Sequence, residues 1–591
     1  MKTNSRLLPL LALLAPALAA QVAPDLAERI RQEGLGNSKV MQHLDYLTNH
    51  IGHRLTGSEN LVKAAYWVAS EFERMGLSVE IEKWGEWKVG WNRGQWSGRV
   101  VSPEPMDLQI ATDAWTAGTP GAVTGPLVVA PTTEDELTAR AKELRGAWVF
   151  DPTSVPDYEA GGGEGRGRSR GGPGGVAGML RDRAADLGIV GFVRSSVGTA
   201  QYPNRIRVFG DSNVARMDWA SLPTTPEVVV RYDQAKKLKE MLAAGQRVEV
   251  EIEVRNRFTP GPVPLYNVIA ELKGSELPDE YVYVCGHLDS WHQATGTTDN
   301  GTGTTSTMEA ARILTAVGAK PKRTIRFALW GGEEQGLLGS AGHVKMRRTQ
   351  MDNVSAVFNH DTGTNWAASL GVTAVMKDDM EKVFAPVMAL SPPDKDHEGP
   401  VFTLRVVQGI SGGGSDHGSF LTANVPGLSW GLTGRSDYFG YTWHSQYDTY
   451  NVAIPEYQAH NATVFALAAL GTANLPEKLN REGLRPVGGN RGSDATAMLS
   501  GFFGAEFDGL KVKTLEKEGL MAKSGIAAGD VLKAVNGKPV TALVDIFRIA
   551  REDGLDKGVE LTIDRAGKEL KVKMSMENAP TGRRGRRRGG E

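Results

Sequence analysis

Cysteine is almost missing from this chain. Cys285 is the only one in 591 residues, which excludes any intramolecular disulfide. Neither sign of charge dominates: 67 Lys and Arg stand against 69 Asp and Glu, for a formal charge of -2. Arg583, Arg584, Arg586, Arg587 and Arg588 sit together at the C-terminus, so the remainder is more acidic than the total implies. That balance argues against a nucleic-acid-binding core, whose surface would be strongly basic. The N-terminal apolar run, residues 7–14, is too short for the roughly 20 residues of a membrane span, and Pro9 and Pro16 interrupt it. What is present is ordinary globular material, 40% apolar and 23% charged. At about 150 residues per domain the length predicts about four folding units.

Lys2 and Arg6 precede that apolar run, and Ala17, Leu18, Ala19 and Ala20 supply a small-residue cleavage site, so residues 1–20 read as a secretory signal peptide. No cysteine follows the site, which excludes the lipid-anchored variant. Export without disulfides suits a bacterial periplasm or culture fluid, and no stable membrane insertion is expected after cleavage. Residues 21–117 hold two amphipathic helices joined by a loop from Ile51 through Ser58, then an alternating strand. Residues 118–254 change texture to short strands with helices between, an expected separate insert. Within it, nine of the fifteen residues 161–175 are glycine and three are arginine, a composition that cannot offset its ordering entropy by burial, so a disordered loop is expected. Residues 255–475 alternate apolar strands with helices, which favours a mixed, mainly parallel sheet sandwiched by helices. A polar linker, 476–494, precedes about eighty residues of short strands, 495–577, and a Gly/Arg tail, 578–591.

The chemistry-bearing residues fall at the ends of successive strands of the 255–475 segment, where ligand sites of such folds gather. The first strand ends in Gly286-His287-Leu288-Asp289, with His287 and Asp289 on one face. A ligand imidazole commonly donates its other N–H to a carboxylate, which makes Asp289 a candidate partner of His287. Alone, this pair reads more readily as a hydrogen-bonded structural histidine than as a ligand. Asp299, in Thr298-Asp299-Asn300-Gly301, opens the next helix and could be its N-cap. The third strand delivers adjacent acids, Glu333 and Glu334. They repel unless a cation lies between them, with Glu334 ligating and Glu333 free to handle protons. The bland reading is a solvated helix start. The fourth strand delivers Asp361, and a late aromatic loop presents His444. Two imidazoles and several carboxylates suit zinc, before manganese or cobalt.

In this order, His-x-Asp, Asp-Asn-Gly, Glu-Glu, Asn-x-Asp and a late Tyr-x-x-His-Ser, the residues resemble the co-catalytic dizinc exopeptidases. Gly286-His287-Leu288-Asp289-Ser290-Trp291 is closest to the plasma glutamate carboxypeptidase branch. The resemblance spans residues 37–474. It implies a zinc exopeptidase fold and two zinc ions per chain, one held by His287 and Asp361, a second by Glu334 and His444, with Asp299 bridging. It further implies Glu333 as general base, acting with a metal-bridging water, and Asp289 as the orienting carboxylate. Trp443 stands where the family often has tyrosine, so Tyr438 or Tyr441 is the substitute for substrate or oxyanion contacts. His417, in Ser415-Asp416-His417, reads as structural.

The insert resembles a protease-associated domain. Residues 495–577 resemble a PDZ domain, with Gly501, Phe502, Phe503 and Gly504 as the carboxylate loop that would take a peptide or protein C-terminus. The expected function is therefore a secreted metallo-exopeptidase acting on peptides, with aminopeptidase favoured over a carboxypeptidase or dipeptidase of the glutamate carboxypeptidase type. A catalytically inactive receptor-like scaffold and a single-zinc glutaminyl-cyclase-like transferase are the rivals. No nucleic-acid partner is expected, and a homodimer is left open.

Overall fold

In the computed structural model, the described residues are 22–158, 176–485, 505–515, 520–540 and 559–574. The signal peptide, the 161–175 loop, the tail and the Gly501-Phe502-Phe503-Gly504 loop lie outside them, as does the linker beyond residue 485. The chain divides into two units, residues 1–484 and 485–591.

The first unit is built on an eight-stranded mixed sheet. Its spatial order is Ser78–Asn92, Arg257–Leu272, Arg323–Trp330, Leu277–His287, Val354–Asn359, Gly427–Thr433, Trp366–Val372 and Thr403–Val406. The four strands from Arg323–Trp330 to Gly427–Thr433 are mutually parallel. Antiparallel pairs lie outside them. Arg323–Trp330 is buried at every position. A strand covered on both faces has no solvent side, which is why it reads as a continuous run and not as an alternation. Tyr281, Tyr283, Cys285, Ala328 and Trp330 form one cluster with Val344 and Phe420, which come from helices Leu338–Met346 and His417–Leu421. Helices Thr302–Ala316 and Pro455–Ala473 pack on one another and on the central strands.

Register is what positions the site. His287 pairs with Trp330 and Cys285 with Asn359 across parallel ladders, so three strands end side by side. The residues at or just beyond those ends, His287, Glu333 and Asp361, are therefore delivered to one edge of the sheet.

A second eight-stranded sheet, ordered Met106–Leu108, Trp96–Ser102, Glu249–Val254, Val123–Val129, Trp148–Phe150, Gly191–Ser195, Glu227–Val230 and Ile110–Ala111, makes the insert. It takes in strands from Trp96 onward, ahead of position 118, because Trp96–Ser102 ladders with Glu249–Val254 at the insert's far end. The insert has its own core around Trp148, Phe150 and Val193. A second, aromatic-rich cluster joins Trp115, Ile206 and Val208 of this region to Leu55, Trp87, Leu265 and Trp291 of the main sheet's surroundings.

In the second unit, antiparallel strands including Lys511–Leu515, Val531–Val535, Val559–Arg565 and Lys568–Met574 enclose a separate core of Val512, Met521, Leu532, Val535, Leu561 and Ile563. Asp530, fully buried, accepts from the Ala527 N–H at 2.7 Å and from Arg565 Nε at 2.7 Å. Among the described residues, no helix is long and apolar enough to cross a membrane.

Candidate metal centre

His287 closes its strand with its ring in the core, 1% exposed. Its Nε2 lies 3.2 Å from Asp361 Oδ1, 3.3 Å from Asp299 Oδ1 and 4.0 Å from Glu333 Oε2. Asp299 stands in the turn Thr297–Gly301 that feeds helix Thr302–Ala316. It does not cap that helix; Asn300 Oδ1 accepts from the Gly303 N–H instead. Asp299 Oδ2 faces His444 Nε2 at 3.2 Å, and the same nitrogen lies 3.1 Å from Glu334 Oε2. Asp299 thus stands between the two imidazoles, with one oxygen toward each.

Glu333 and Glu334 are not a solvated helix start, for the following helix begins only at Leu338. They sit in a buried turn after Trp330. Gly332 makes that turn possible: its φ is 79°, and a Cβ there would come within 2.9 Å of the Trp84 ring. The turn is held by Asp289, whose Oδ1 accepts from the Glu333 N–H at 3.2 Å and whose Oδ2 accepts from the Glu334 N–H at 3.3 Å. Thr56 Oγ1 donates to the same Oδ2 at 2.8 Å.

This corrects the expected route by which Asp289 orients His287. His287 Nδ1 is 2.9 Å from the Asp289 main-chain oxygen and 3.7 Å from its carboxylate, beyond hydrogen-bonding range. The carbonyl fixes the tautomer and leaves Nε2 free to ligate. The carboxylate is turned instead toward the glutamate pair.

Tyr438 is buried at this cluster. Burial, with Asp299, Asp361 and Glu334 nearby, holds its hydroxyl pKa well above the usual value, so it stays a donor. Tyr441 is not brought to the cluster: it stacks on Tyr447 with centroids 4.4 Å apart and meets Tyr202 of the insert at 5.0 Å. Trp443 stacks on the His444 ring at 3.9 Å. His417 Nε2 accepts from the Gly413 N–H at 3.3 Å, and burial pushes its pKa down to about 4.

Sequence reading missed Asp448 and Arg54. Asp448 accepts from the N–H groups of Thr298 at 2.6 Å and Asp299 at 3.2 Å, so it braces the bridging turn across a gap of 150 residues. Burial, with Asp299 nearby, raises its carboxyl to about 7. Its nearness to His444 in sequence was the available signal.

The electrostatics ask for a cation. Burial, with neighbouring carboxylates, raises Glu333 well above its ordinary value and Glu334 to about 7. Burial lowers and Asp361 and Glu333 raise His287, with the rise winning. Asp299 Oδ2 and Glu334 Oε1 are buried with no hydrogen-bond partner. Buried carboxylate oxygens without partners cost several kcal/mol unless paired or metal-bound. Ligand atoms of His287, Glu333 and Asp361, and of His287, Asp299 and Glu334, lie within 4.8 Å of one another. Hard carboxylates mixed with imidazoles fit zinc.

Residues 267–468 match Peptidase family M28. Carboxypeptidase Q of Mus musculus is 28% identical over 454 residues, covering 76% of this chain and 88% of the relative. Carboxypeptidase Q of Homo sapiens is 27% identical over 450 residues, with the same coverage of each chain. A solved Peptidase M28 precursor from Shewanella amazonensis superposes with a TM-score of 0.56 at 25% identity, covering 80% of this chain and all of that one. The ligand cluster thus lies inside the segment that is similar to Peptidase family M28, and its donor set is that of a metallopeptidase.

Proposed function

We propose that this protein is a secreted exopeptidase that holds two zinc ions and hydrolyses peptide bonds at a chain terminus. The supporting observation is the convergence of His287, Asp299, Glu334, Asp361 and His444 from five separate stretches of chain, with Glu333 beside them. His287 and Asp361 would hold one ion, Glu334 and His444 the other, and Asp299 would be shared. Bound there, zinc supplies a Lewis acid for the scissile carbonyl and acidifies an attacking water. Glu333, kept out of the inner ligand set, takes the proton of the attacking water and returns it to the leaving amine. Asp289 fixes the main chain of that glutamate and of its neighbour. The Tyr438 hydroxyl remains protonated and available to donate to developing negative charge. A complete ligand set with a spare base favours an enzyme over a receptor-like scaffold.

The family resemblance favours release of amino-terminal residues, the commoner activity among bacterial relatives, but one observation favours recognition of a free carboxylate. Arg207, on the insert segment that meets the His444 loop, places its guanidinium 5.5 Å from the Trp443 ring centroid and 5.7 Å from that of Phe209. Trp443 in turn stacks on His444. The adjacent residue Val208 donates its N–H to the His444 carbonyl at 3.3 Å. Among the described residues Arg207 forms no ion pair, and its Nε is buried without a partner. An unpaired guanidinium one ring away from a metal ligand is suited to a terminal carboxylate. We therefore favour release of carboxyl-terminal residues, the activity that the name of its carboxypeptidase Q relatives carries. Mass spectrometry of products from a mixed peptide pool tests this. Loss of carboxyl-terminal residues is expected, intact carboxyl ends with trimmed amino ends would restore the aminopeptidase reading, and no hydrolysis by zinc-loaded protein would leave the scaffold.

The insert would act as a protease-associated cover, and the second unit as a PDZ-like module binding a peptide or protein C-terminus. All five ligands and Glu333 belong to residues 1–484, and the second unit has its own core. Truncation after Leu484 should therefore keep both zinc ions and the turnover of small substrates within about twofold, while binding of longer peptides should weaken. Loss of small-substrate activity in a folded, zinc-loaded truncation would show that the second unit completes the cleft.

A further inference from the structure

Arg54 lies outside the ligand set, and its side chain is fully buried. Its guanidinium spans three main-chain carbonyls of the loop that joins two ligands: Nε donates to Leu288 O at 2.7 Å, Nη1 to Thr295 O at 2.8 Å, and Nη2 to Gly296 O at 2.8 Å. Leu288 follows His287 directly, and Gly296 stands three residues before Asp299. The Arg54 main chain also pairs with Ser290, its N–H donating to Oγ at 3.0 Å and its carbonyl accepting from the Ser290 N–H at 3.1 Å. Gly296 is pressed into this arrangement with φ 62°, where a Cβ would meet Ser290 Oγ at 2.5 Å and Arg54 Nη2 at 3.1 Å. Two residues on, Thr56 grips the Asp289 carboxylate that holds Glu333 and Glu334.

We propose that Arg54 is a positioning residue for the metal centre, whose guanidinium ties both ends of the His287–Asp299 loop together and so sets the spacing of the two ligands. The proposal deepens the metallopeptidase reading and rests on it for its catalytic consequence. A buried cation facing only carbonyls needs compensating negative charge. Asp448, Asp289, Asp299 and Glu334 supply it, favouring the charged form against the downward pull of burial. The planar fork is what the site uses, because one ammonium cannot reach carbonyls at both ends of the loop.

The test compares Arg54→Met, Arg54→Lys and Thr56→Val in the full chain, measuring zinc affinity by competition with a chromogenic chelator, and kcat and KM at saturating zinc. Changes to groups that orient metal ligands typically cost 10–100-fold in affinity or activity. Arg54→Met is expected to weaken zinc binding about 10–100-fold and to lower kcat with KM little changed, and Arg54→Lys to restore neither. Thr56→Val, a nearly isosteric change, should shift zinc affinity in the same direction and keeps the test informative if Arg54→Met does not fold. Wild-type zinc affinity and kcat in Arg54→Met, full rescue by Arg54→Lys, or an unshifted affinity in Thr56→Val would overturn the proposal. Wild-type protein that binds zinc yet hydrolyses no peptide would instead overturn the enzymatic reading, while the affinity comparison would still decide the role of Arg54.

Discussion

Glu333→Gln should retain both zinc ions and hydrolyse peptides about 10²–10⁴-fold more slowly than the native chain, the loss that follows from removing a positioned proton shuttle. Glutamine keeps the shape and the N–H that Asp289 holds, so the turn after Trp330 should survive. What disappears is the titratable oxygen, 4.0 Å from His287 Nε2 at its nearest approach to that ring. Glu334 is the closer of the two to an imidazole, 3.1 Å from His444 Nε2, which is why it is assigned as the ligand. Elemental analysis beside steady-state kinetics checks the assignment. A Glu333→Gln protein short of one zinc would reverse the roles of the two glutamates.

Asp299→Ala should lose at least one zinc ion and nearly all peptidase activity. Asp299 is placed with one oxygen toward each imidazole, at 3.3 Å and 3.2 Å, and its removal leaves neither imidazole facing a shared anion. Its carboxyl is pushed up by burial but held below its ordinary range by the imidazoles of His287 and His444 beside it, so it is present as the anion the two cations would share. Ligand binding to the folded state alone adds stability as RT ln(1 + [L]/Kd), about 4 kcal/mol at a thousandfold excess over Kd. Chelation should therefore lower the melting temperature of the native chain by several degrees and shift Asp299→Ala much less. A variant that keeps two zincs and an undiminished chelator-sensitive melting shift would remove Asp299 from the bridge.

The strands that carry the ligands were legible because the sheet's interior strands are apolar throughout. Residues 281–285 and 324–330 announce themselves by runs that only a doubly covered sheet tolerates. Asp299 and the glutamate pair were legible as chemistry but not as placement: an N-cap and a helix start were equally good local readings. The structure rejects both, because Asn300 takes the capping role and the helix after the glutamates starts at Leu338. The insert's first strand at Trp96 was lost for a different reason, since its ladder partner, Glu249–Val254, lies some 150 residues away and leaves no local mark.

Residue order alone therefore determined which side chains were available to a metal and the sequence in which strand ends would present them, since both follow from short-range apolar pattern and from residue type. Tertiary packing decided the rest. It stacked Tyr441 on Tyr447 and buried Tyr438, turned the Asp289 carboxylate from His287 to the glutamate amides, and brought Arg54, Thr56 and Asp448 from distant segments to the main chain around the ligands. Contacts of that kind bind carbonyl and N–H groups, which every residue possesses, so nothing in the partner's identity records them, and only the folded register of the parallel ladders brings the two sides together.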